Sequence, residues 1–598
     1  MIDHHKLTVP SALLRANRTG GGLLVPPGVE AKKEQSFAHT FVTWKALTEI
    51  ELNEADIVER LSRMSAFDCL DVLGRLSCMV NSAAPASPKA QRLIIERLNW
   101  AADAKSILIE KLNGTDGETR AIFFSQQVVH LARLAVLHAD SRRADNFESG
   151  ELTGAFIECL LGVGDVFEEP GLDESDAATL NNETVIPWIL RQLGINGRHD
   201  SELLWGRYYD ILVRAWEEIA TPEAFDAAAA FERYTGISMP DWLTTGFAFF
   251  TRFGTYGHGS SEAFLVVPEQ YFSNSAIGAE TWEPFLDANA QTLEECRTRL
   301  IKEEAKYGHT QYRAQTFEER PLLHLPDGGI IPLALDSLER RCTEGMFFEL
   351  ADGVLDEGLA RSEFTSPFGA VFEDFVQRAW ERMMPALGVP RVRRQKKYMR
   401  GDRKVESTDA ILDGANEGVI FCEVVSRRLR VATITRGDWP SFLEDLESGP
   451  LTKARQLDLN IKDYRSGKLT LDGLRYRDGQ KIWPMLILTE GFPTMPPIPQ
   501  FIGEEIKRNG LLQGLPPLAI LGSEDLGHLE GLLEAGFGAF ELIALWKGDP
   551  AMANLPFPNF LTALGDSRAD KARQAPFYRD AWAELTRTVQ RRLFPDSE

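Results

Sequence analysis

Between about Phe37 and His309, large apolar residues recur mostly at three- and four-residue steps, the spacing of helices with one buried face. AQRLIIERLNWAADAKSILIEKLNG keeps this rhythm up to Gly114, a good helix stop. SQQVVHLARLAVLHAD and SELLWGRYYDILVRAWEEIA follow it too, and ETWEPFLDANAQTLEECRTRLIKEEAKYG is a long charged helical pattern before Gly308. After Tyr312 the texture changes. RPLLHLPDGGIIPLALDSLERR predicts strand, Asp-Gly-Gly turn, strand, and a helix from near Asp336. From Ser366 helices and strands alternate. SPFGAVFEDFVQRAWERMMPALG is an amphipathic helix, RVRRQKKYM a basic edge strand, and STDAILD and VIFCEVV are strands about the GANEG turn. TKARQLDLNIKDYRSG predicts a helix, KIWPMLILTE a strand, and PPLAILGSEDLGHLEGLLEAG a strand feeding a helix. Such alternation implies an α/β sheet covered by helices. No fixed-period repeat points to a solenoid.

The expected fold class is therefore multidomain α + α/β, in keeping with a length of 598 residues. Residues 1–34, with TGGG and VPPG, read as a flexible arm, and 35–320 as an acidic, mostly helical domain serving as sensor, partner-binding module or scaffold. Residues 321–365 form a hairpin and helix junction, and 366–598 the α/β domain. The start MIDHHKLTVP lacks an apolar signal core, and no window matches a membrane helix, so a cytoplasmic protein without membrane contact is expected. Cys69, Cys78, Cys159, Cys296, Cys342 and Cys422 are scattered, which argues against zinc modules and disulfide frameworks and for reduced, buried thiols.

Charge changes the picture once it is divided along the chain. The net charge is −23, yet residues 361–598 hold 33 basic and 33 acidic side chains, so the first 360 carry all of it. An acidic domain repels phosphate and suits a protein partner or self-association, while a neutral domain can hold a local basic groove. RVRRQKKYMRGDRKVE, residues 391–406, places eight basic and two acidic residues in sixteen positions. Arg393, Arg394, Lys396, Lys397 and Arg400, with Arg427 and Arg428 of SRRLR, are the candidate nucleic-acid contacts. A charged edge strand kept soluble is the competing explanation. Tyr398 offers a base-stacking surface, although a single aromatic more often packs.

Phosphodiester hydrolysis calls for a divalent metal on carboxylates, and Mg²⁺ takes only one or two from the protein. Asp409 and Glu423 lie in neighbouring strands joined by a short turn, which can bring them together. Glu423 stands among Phe421, Cys422, Val424 and Val425, where a lone carboxylate is costly unless neutralised. The order Glu373 in FEDFV, Asp409 in TDAIL, Glu423 in FCEVV, then the helix carrying Gln456, resembles the PD-(D/E)XK superfamily of restriction-endonuclease-like proteins, and PLAILGSEDLGHLEGLL resembles a segment of large bacterial defence-associated members. The resemblance covers roughly residues 366–490. It implies a restriction-endonuclease-like core, Mg²⁺ or Mn²⁺ on Asp409 and Glu423 with support from Glu373, and an anti-phage or other nucleic-acid-targeting nuclease, DNA favoured over RNA, regulated by the helical domain. The family's lysine two residues after the Glu is here Val425, which can neither donate a proton nor bind phosphate. Lys453 is the leading replacement: with Gln456 and Asn460 it falls on one polar helix face, opposite Ala454, Leu457, Ile461 and Tyr464. Arg427 is second, though a poor base. The catalytic set is then Asp409, Glu423, Lys453 and Gln456. The alternative is a degenerate nuclease-like module that binds nucleic acid or a partner and recruits another effector, and a third reading makes the strand carboxylates structural.

Other signals carry less. GGGLLVPPG lacks the lysine and hydroxyl of a phosphate loop, GTYGHGSSE at 254–262 reads as a plain loop, and His130 and His138 are eight apart, unlike a metal-binding pair.

Overall fold

The computed structural model describes residues 40–41, 43–82, 88–98, 105–106, 108–110, 120–142, 150–167, 182–196, 201–216, 225–258, 264–308, 311, 314–387, 391–469, 473–489, 492–494, 498–564 and 576–595. The proposed arm at 1–34 lies outside them. The described residues cluster into two compact units. The first draws on 1–198, 228–349 and 586–598, the second on 199–227 and 350–585.

The first unit is helical, as its apolar spacing predicts. Ala66–Ser82 packs against both Ser125–His138 and Met239–His258, with Leu73, Leu131 and Phe249 buried. The pattern from Glu280 to Gly308 is not one helix. It breaks after Ala279–Asn289 into the short strand Ala290–Gln291 and restarts at Leu293–Tyr307. Thr292 and Glu295 cap the restart reciprocally, a signal that was legible in the sequence. The hairpin after Tyr312 forms as expected, with strands Leu322–His324 and Ile330–Pro332, but it belongs to this unit and not to a junction. Gly254–His258 is the end of a helix, not a loop; the rest of GTYGHGSSE falls outside the described residues.

The second unit is an α/β layer structure whose elements are labelled here along the chain. Helix α1 (Ser362–Leu387) leads to the strands β1 (Arg391–Arg394), β2 (Lys397–Arg400), β3 (Arg403–Glu406), β4 (Ala410–Asp413) and β5 (Val419–Val425). Helix α2 (Thr452–Arg465), β6 (Ile482–Leu488), β7 (Ala519–Gly522) and α3 (Ser523–Glu534) follow. The five-stranded sheet runs β7-β6-β5-β4-β1, parallel from β7 to β5 and antiparallel from β5 to β1. Every residue of β5 is buried, the mark of a central strand covered on both faces. Strand parity sorts its residues: the Phe421 ring packs at a tilt against Tyr464 of α2, so Phe421, Glu423 and Val425 face α2. Ile420 faces the other way and, with Trp380 of α1, Leu529 of α3 and Trp546, lines a small apolar cavity.

Two readings of this unit need correction. RVRRQKKYM is not one edge strand. Its first half, β1, joins the sheet, while β2 leaves it to pair with β3 in a separate two-stranded ribbon. And residues 199–227, read as part of the helical domain, cluster with the sheet. Leu204, Trp205 and Tyr208 of the helix Ser201–Tyr208 are fully buried, Trp216 stacks on Phe364 of α1, and Tyr209 donates to Glu584. Over its stretches of sequence the sheet unit therefore carries −9, not zero: 199–227, with seven acidic and two basic residues, contributes −5, and 350–585 contributes −4. All six cysteines are free and buried. No helix among the described residues is long and apolar enough to cross a membrane.

Candidate active site

The hairpin β4–β5 does what the spacing of its carboxylates required. Cys422 pairs with Ala410, so one further step of the antiparallel register sets Glu423 opposite Asp409. Both side chains are almost wholly buried. Lys453 reaches in from the first turn of α2 and donates from Nζ to Asp409 Oδ2 and to Glu423 Oε2, at 3.0 Å each. Glu373 of α1 stands 3.8 Å from the same nitrogen. The Lys453 side chain keeps 21% of its exposure, so this cluster opens to solvent and is not a sealed ion pair.

Asp409 is held unusually firmly. Its Oδ2 accepts the Val424 backbone N–H at 2.7 Å, and Oδ1 accepts from Gln395 Nε2 at 3.2 Å. Its backbone oxygen accepts from Gln377 Nε2 at 2.9 Å and from the Gln395 N–H at 3.1 Å. Gln377 and Gln395 were missed in the sequence, since an isolated glutamine has no spacing rule that marks it. A local signal existed only for Gln395, which interrupts the basic run two residues after Arg393.

Electrostatics explains why Lys453 belongs here. Burial, then the closeness of Asp409, pushes the Glu423 carboxyl well above its usual range. Burial and Asp409 likewise raise Glu373 to about 7. For Lys453 burial opposes the charge, but Glu423, Asp409 and Glu373 together outweigh it and hold its pKa above the ordinary lysine range. One cation thus serves three carboxylates, and the crowding of acids around it helps raise the two glutamates.

A divalent cation would relieve that crowding. Asp409 and Glu423 supply the two carboxylates that Mg²⁺ commonly takes from a protein. Among the described residues no group of three or more His, Cys, Asp or Glu side chains converges as a metal site. Glu373, assigned as a further ligand through the resemblance, lies 3.8 Å from Lys453 Nζ.

The lysine missing at position 425 has a packing reason. Val425 is 2% exposed, and a Cβ placed on Gly449 would come within 3.3 Å of its Cγ1. The chain at Glu447–Leu451 winds as a π-helical turn directly before α2, and such turns recur at functional sites. Its extra residue resets the helix face by about 100° and sets where Lys453 points. The expected core stripe of α2 (Ala454, Leu457, Ile461, Tyr464) is buried. Gln456 is exposed one turn beyond Lys453 and makes no hydrogen bond to the cluster among the described residues, while Asn460, expected on the polar face, is buried.

The candidate nucleic-acid contacts divide sharply. Arg393 is buried and paired with Asp413, and Arg394 holds Glu381 at 2.6 Å and Asp374 at 2.8 Å, so both brace α1 and the sheet. Arg400 pairs with Asp463 of α2, and Arg428 donates to Tyr208 at 2.6 Å. Lys396 and Lys397 are exposed, Lys397 facing Glu406 at 3.4 Å, and Arg427 is exposed without an ion pair among the described residues. Tyr398 is buried, its hydroxyl 2.6 Å from Asp463 Oδ2 and 2.9 Å from Asn460 Oδ1, so it packs and does not stack on a base. Comparison with protein-family models, with curated proteins and with solved structures finds no match to this chain.

Proposed function

We propose that the sheet unit is a restriction-endonuclease-like nuclease that hydrolyses phosphodiester bonds in DNA with Mg²⁺ or Mn²⁺. One observation carries this reading: Lys453 Nζ lies 3.0 Å from both strand carboxylates, although the usual lysine position holds Val425. A cation supplied from the following helix replaces the missing one. A metal on Asp409 and Glu423 would polarise the phosphate and lower the pKa of bound water. Lys453 stays protonated at neutral pH, so it serves as a charged donor to a phosphate oxygen and not as the base. Gln395 and the Val424 N–H fix Asp409 in one orientation. The acidic first unit, repelled by phosphate, fits a protein-partner or self-association role.

The competing reading makes Lys453 a structural counter-ion in a module that binds without cutting. It draws on the same contacts, since a lysine at 3.0 Å also neutralises buried carboxylates. The full chain incubated with plasmid, linear duplex DNA and RNA in Mg²⁺ or Mn²⁺ separates the two. Cleavage absent in Asp409→Asn and Glu423→Gln, and reduced about 10²–10³-fold in Lys453→Ala, supports the nuclease. Salt-sensitive binding with no cleavage in any metal supports the binding module.

A further inference from the structure

The ribbon β2–β3 supplies no side chain to the Asp409, Glu423 and Lys453 cluster, yet it grows directly out of the site. Its two roots are joined by Lys396 and Ser407: the Lys396 N–H donates to Ser407 Oγ at 2.9 Å, and the Ser407 N–H to the Lys396 oxygen at 2.9 Å. Just inside these roots, Gln395 and Asp409 bond through backbone and side chain. The ribbon is also clamped to the helix that carries Lys453. Tyr398, Arg400, Asn460 and Asp463 form one hydrogen-bonded knot on α2. Lys453 and Asn460 are seven residues apart, about 10 Å along a helix.

Pairing sorts the ribbon's residues. Tyr398 lies opposite Val405 on the clamped face, so Lys397, Met399, Lys404 and Glu406 occupy the other. All four are exposed, Met399 by 56%, so this face offers one large apolar side chain among charged ones. Arg403 and Lys404 are exposed and carry no ion pair among the described residues. Residues 396–406 hold five basic and two acidic side chains in a unit that is otherwise acidic.

We infer that the β2–β3 ribbon is a DNA-holding arm that enters the major groove of a B-form duplex and delivers its backbone to Asp409, Glu423 and Lys453. This rests on the nuclease reading for the site but not for the binding. The shape decides the substrate class. The major groove of B-DNA is about 12 Å wide and admits a two-stranded ribbon. The major groove of duplex RNA is deep and narrow and excludes one. Lys404 on the free face and Arg403, which pairing with Arg400 sets on the other face beside the turn, meet the phosphates flanking the groove, and Met399 faces the base edges, where thymine offers a methyl group.

The full chain is tested in EDTA, where hydrolysis does not intervene, by fluorescence anisotropy on a 30-base-pair DNA duplex, the matching RNA duplex and the DNA single strand. The expected result is that wild type prefers the DNA duplex at least tenfold. Arg403→Ala/Lys404→Ala then weakens duplex binding about tenfold or more and flattens its salt dependence by nearly two log units per log unit of salt, about 0.9 per lost contact. Met399→Ala weakens it without changing the slope. Equal affinity for duplex RNA or single strand, no duplex binding, or an unchanged double variant overturns the inference. Cleavage in Mg²⁺ is scored separately. A wild type that cuts while the double variant binds unchanged removes the arm and keeps the nuclease; a variant that loses binding while no form cuts does the reverse.

Discussion

At the scale of single residues, the carboxylate pair and its lysine are mutually dependent. Asp409 and Glu423 are buried at 0% and 1% exposure, a costly position that Lys453 offsets from within 3.0 Å. Removing the cation leaves two carboxyl groups facing each other, so Lys453→Met is expected to destabilise the sheet unit by about 3–5 kcal/mol in metal-free buffer. Mg²⁺ restores part of that loss, and Glu423→Gln added to Lys453→Met restores part of it without metal, because the repulsion then has one member. Urea midpoints of the three forms, with and without Mg²⁺, measure this; equal midpoints for wild type and Lys453→Met contradict it. Two acids away from the site set the acid-side stability. Asp525 of α3 is buried although it accepts the Gly522 N–H at 2.7 Å, and burial raises its pKa to about 7. Burial likewise raises Glu530 to about 7, with Arg382 at 3.7 Å opposing the shift. Their unfolded values are 3.8 and 4.5, so between these and about pH 7 the folded protein holds more protons than the unfolded one. Their contribution is complete below about pH 4 and is lost as pH rises to 7. Glu530→Gln should make the fall in stability from pH 5 to 7 shallower by about 1–3 kcal/mol; an unchanged slope places the titration elsewhere.

At the scale of elements, parity and helical spacing carried most of what could be read in advance. VIFCEVV sets Glu423 and Val425 on one face, and the stripe Ala454, Leu457, Ile461, Tyr464 orients α2, which makes Lys453 the leading candidate for the missing cation. The ribbon was not legible. RVRRQKKYMR has one texture throughout, and only pairing with distant residues divides it, β1 to β4 and β2 to β3. Nor does a sequence show which arginines are already engaged: Arg393 and Arg394 look like their neighbours until Asp413, Glu381 and Asp374 fold against them. What fixes the ribbon is the Tyr398 hydroxyl between Asn460 and Asp463, partners 62 and 65 residues away. Tyr398→Phe removes that hydroxyl and leaves buried polar groups short of a partner, at a cost of about 1–3 kcal/mol. Amide exchange should rise in 397–406 while β5 and β6 keep their protection. Uniform change across the sheet would mean that the tyrosine supports the core and not the ribbon.

At the scale of the whole molecule, the division of labour by charge is less clean than the linear sequence implies. Residues 361–598 are neutral, but the chain returns an acidic piece from its first half, 199–227, to the sheet unit. That return is invisible to local pattern, because SELLWGRYYDILVRAWEEIA has the same helical spacing as the segments around it. What distinguishes it is only where its apolar face is buried. Leu204, Trp205, Tyr208, Ile211 and Leu212 are each no more than 2% exposed. Burial of five such side chains stabilises by roughly 7–15 kcal/mol, at about 1.5–3 kcal/mol each. That is as large as the whole net stability of an ordinary domain, about 5–15 kcal/mol. A chain cut at the boundary that the sequence suggests, residues 366–598, lacks this segment and should not unfold cooperatively. Residues 350–585 alone should behave the same way, and a peptide of residues 199–227 added in trans should restore a single urea transition and protect β5 from exchange. The same peptide with Trp205→Ala and Tyr208→Ala should restore neither, because it keeps the charge and the helical pattern but loses the large buried faces. If residues 366–598 instead fold as stably as the full chain, the segment is merely docked on a finished domain, and the sheet unit is the independent module that linear order first suggested.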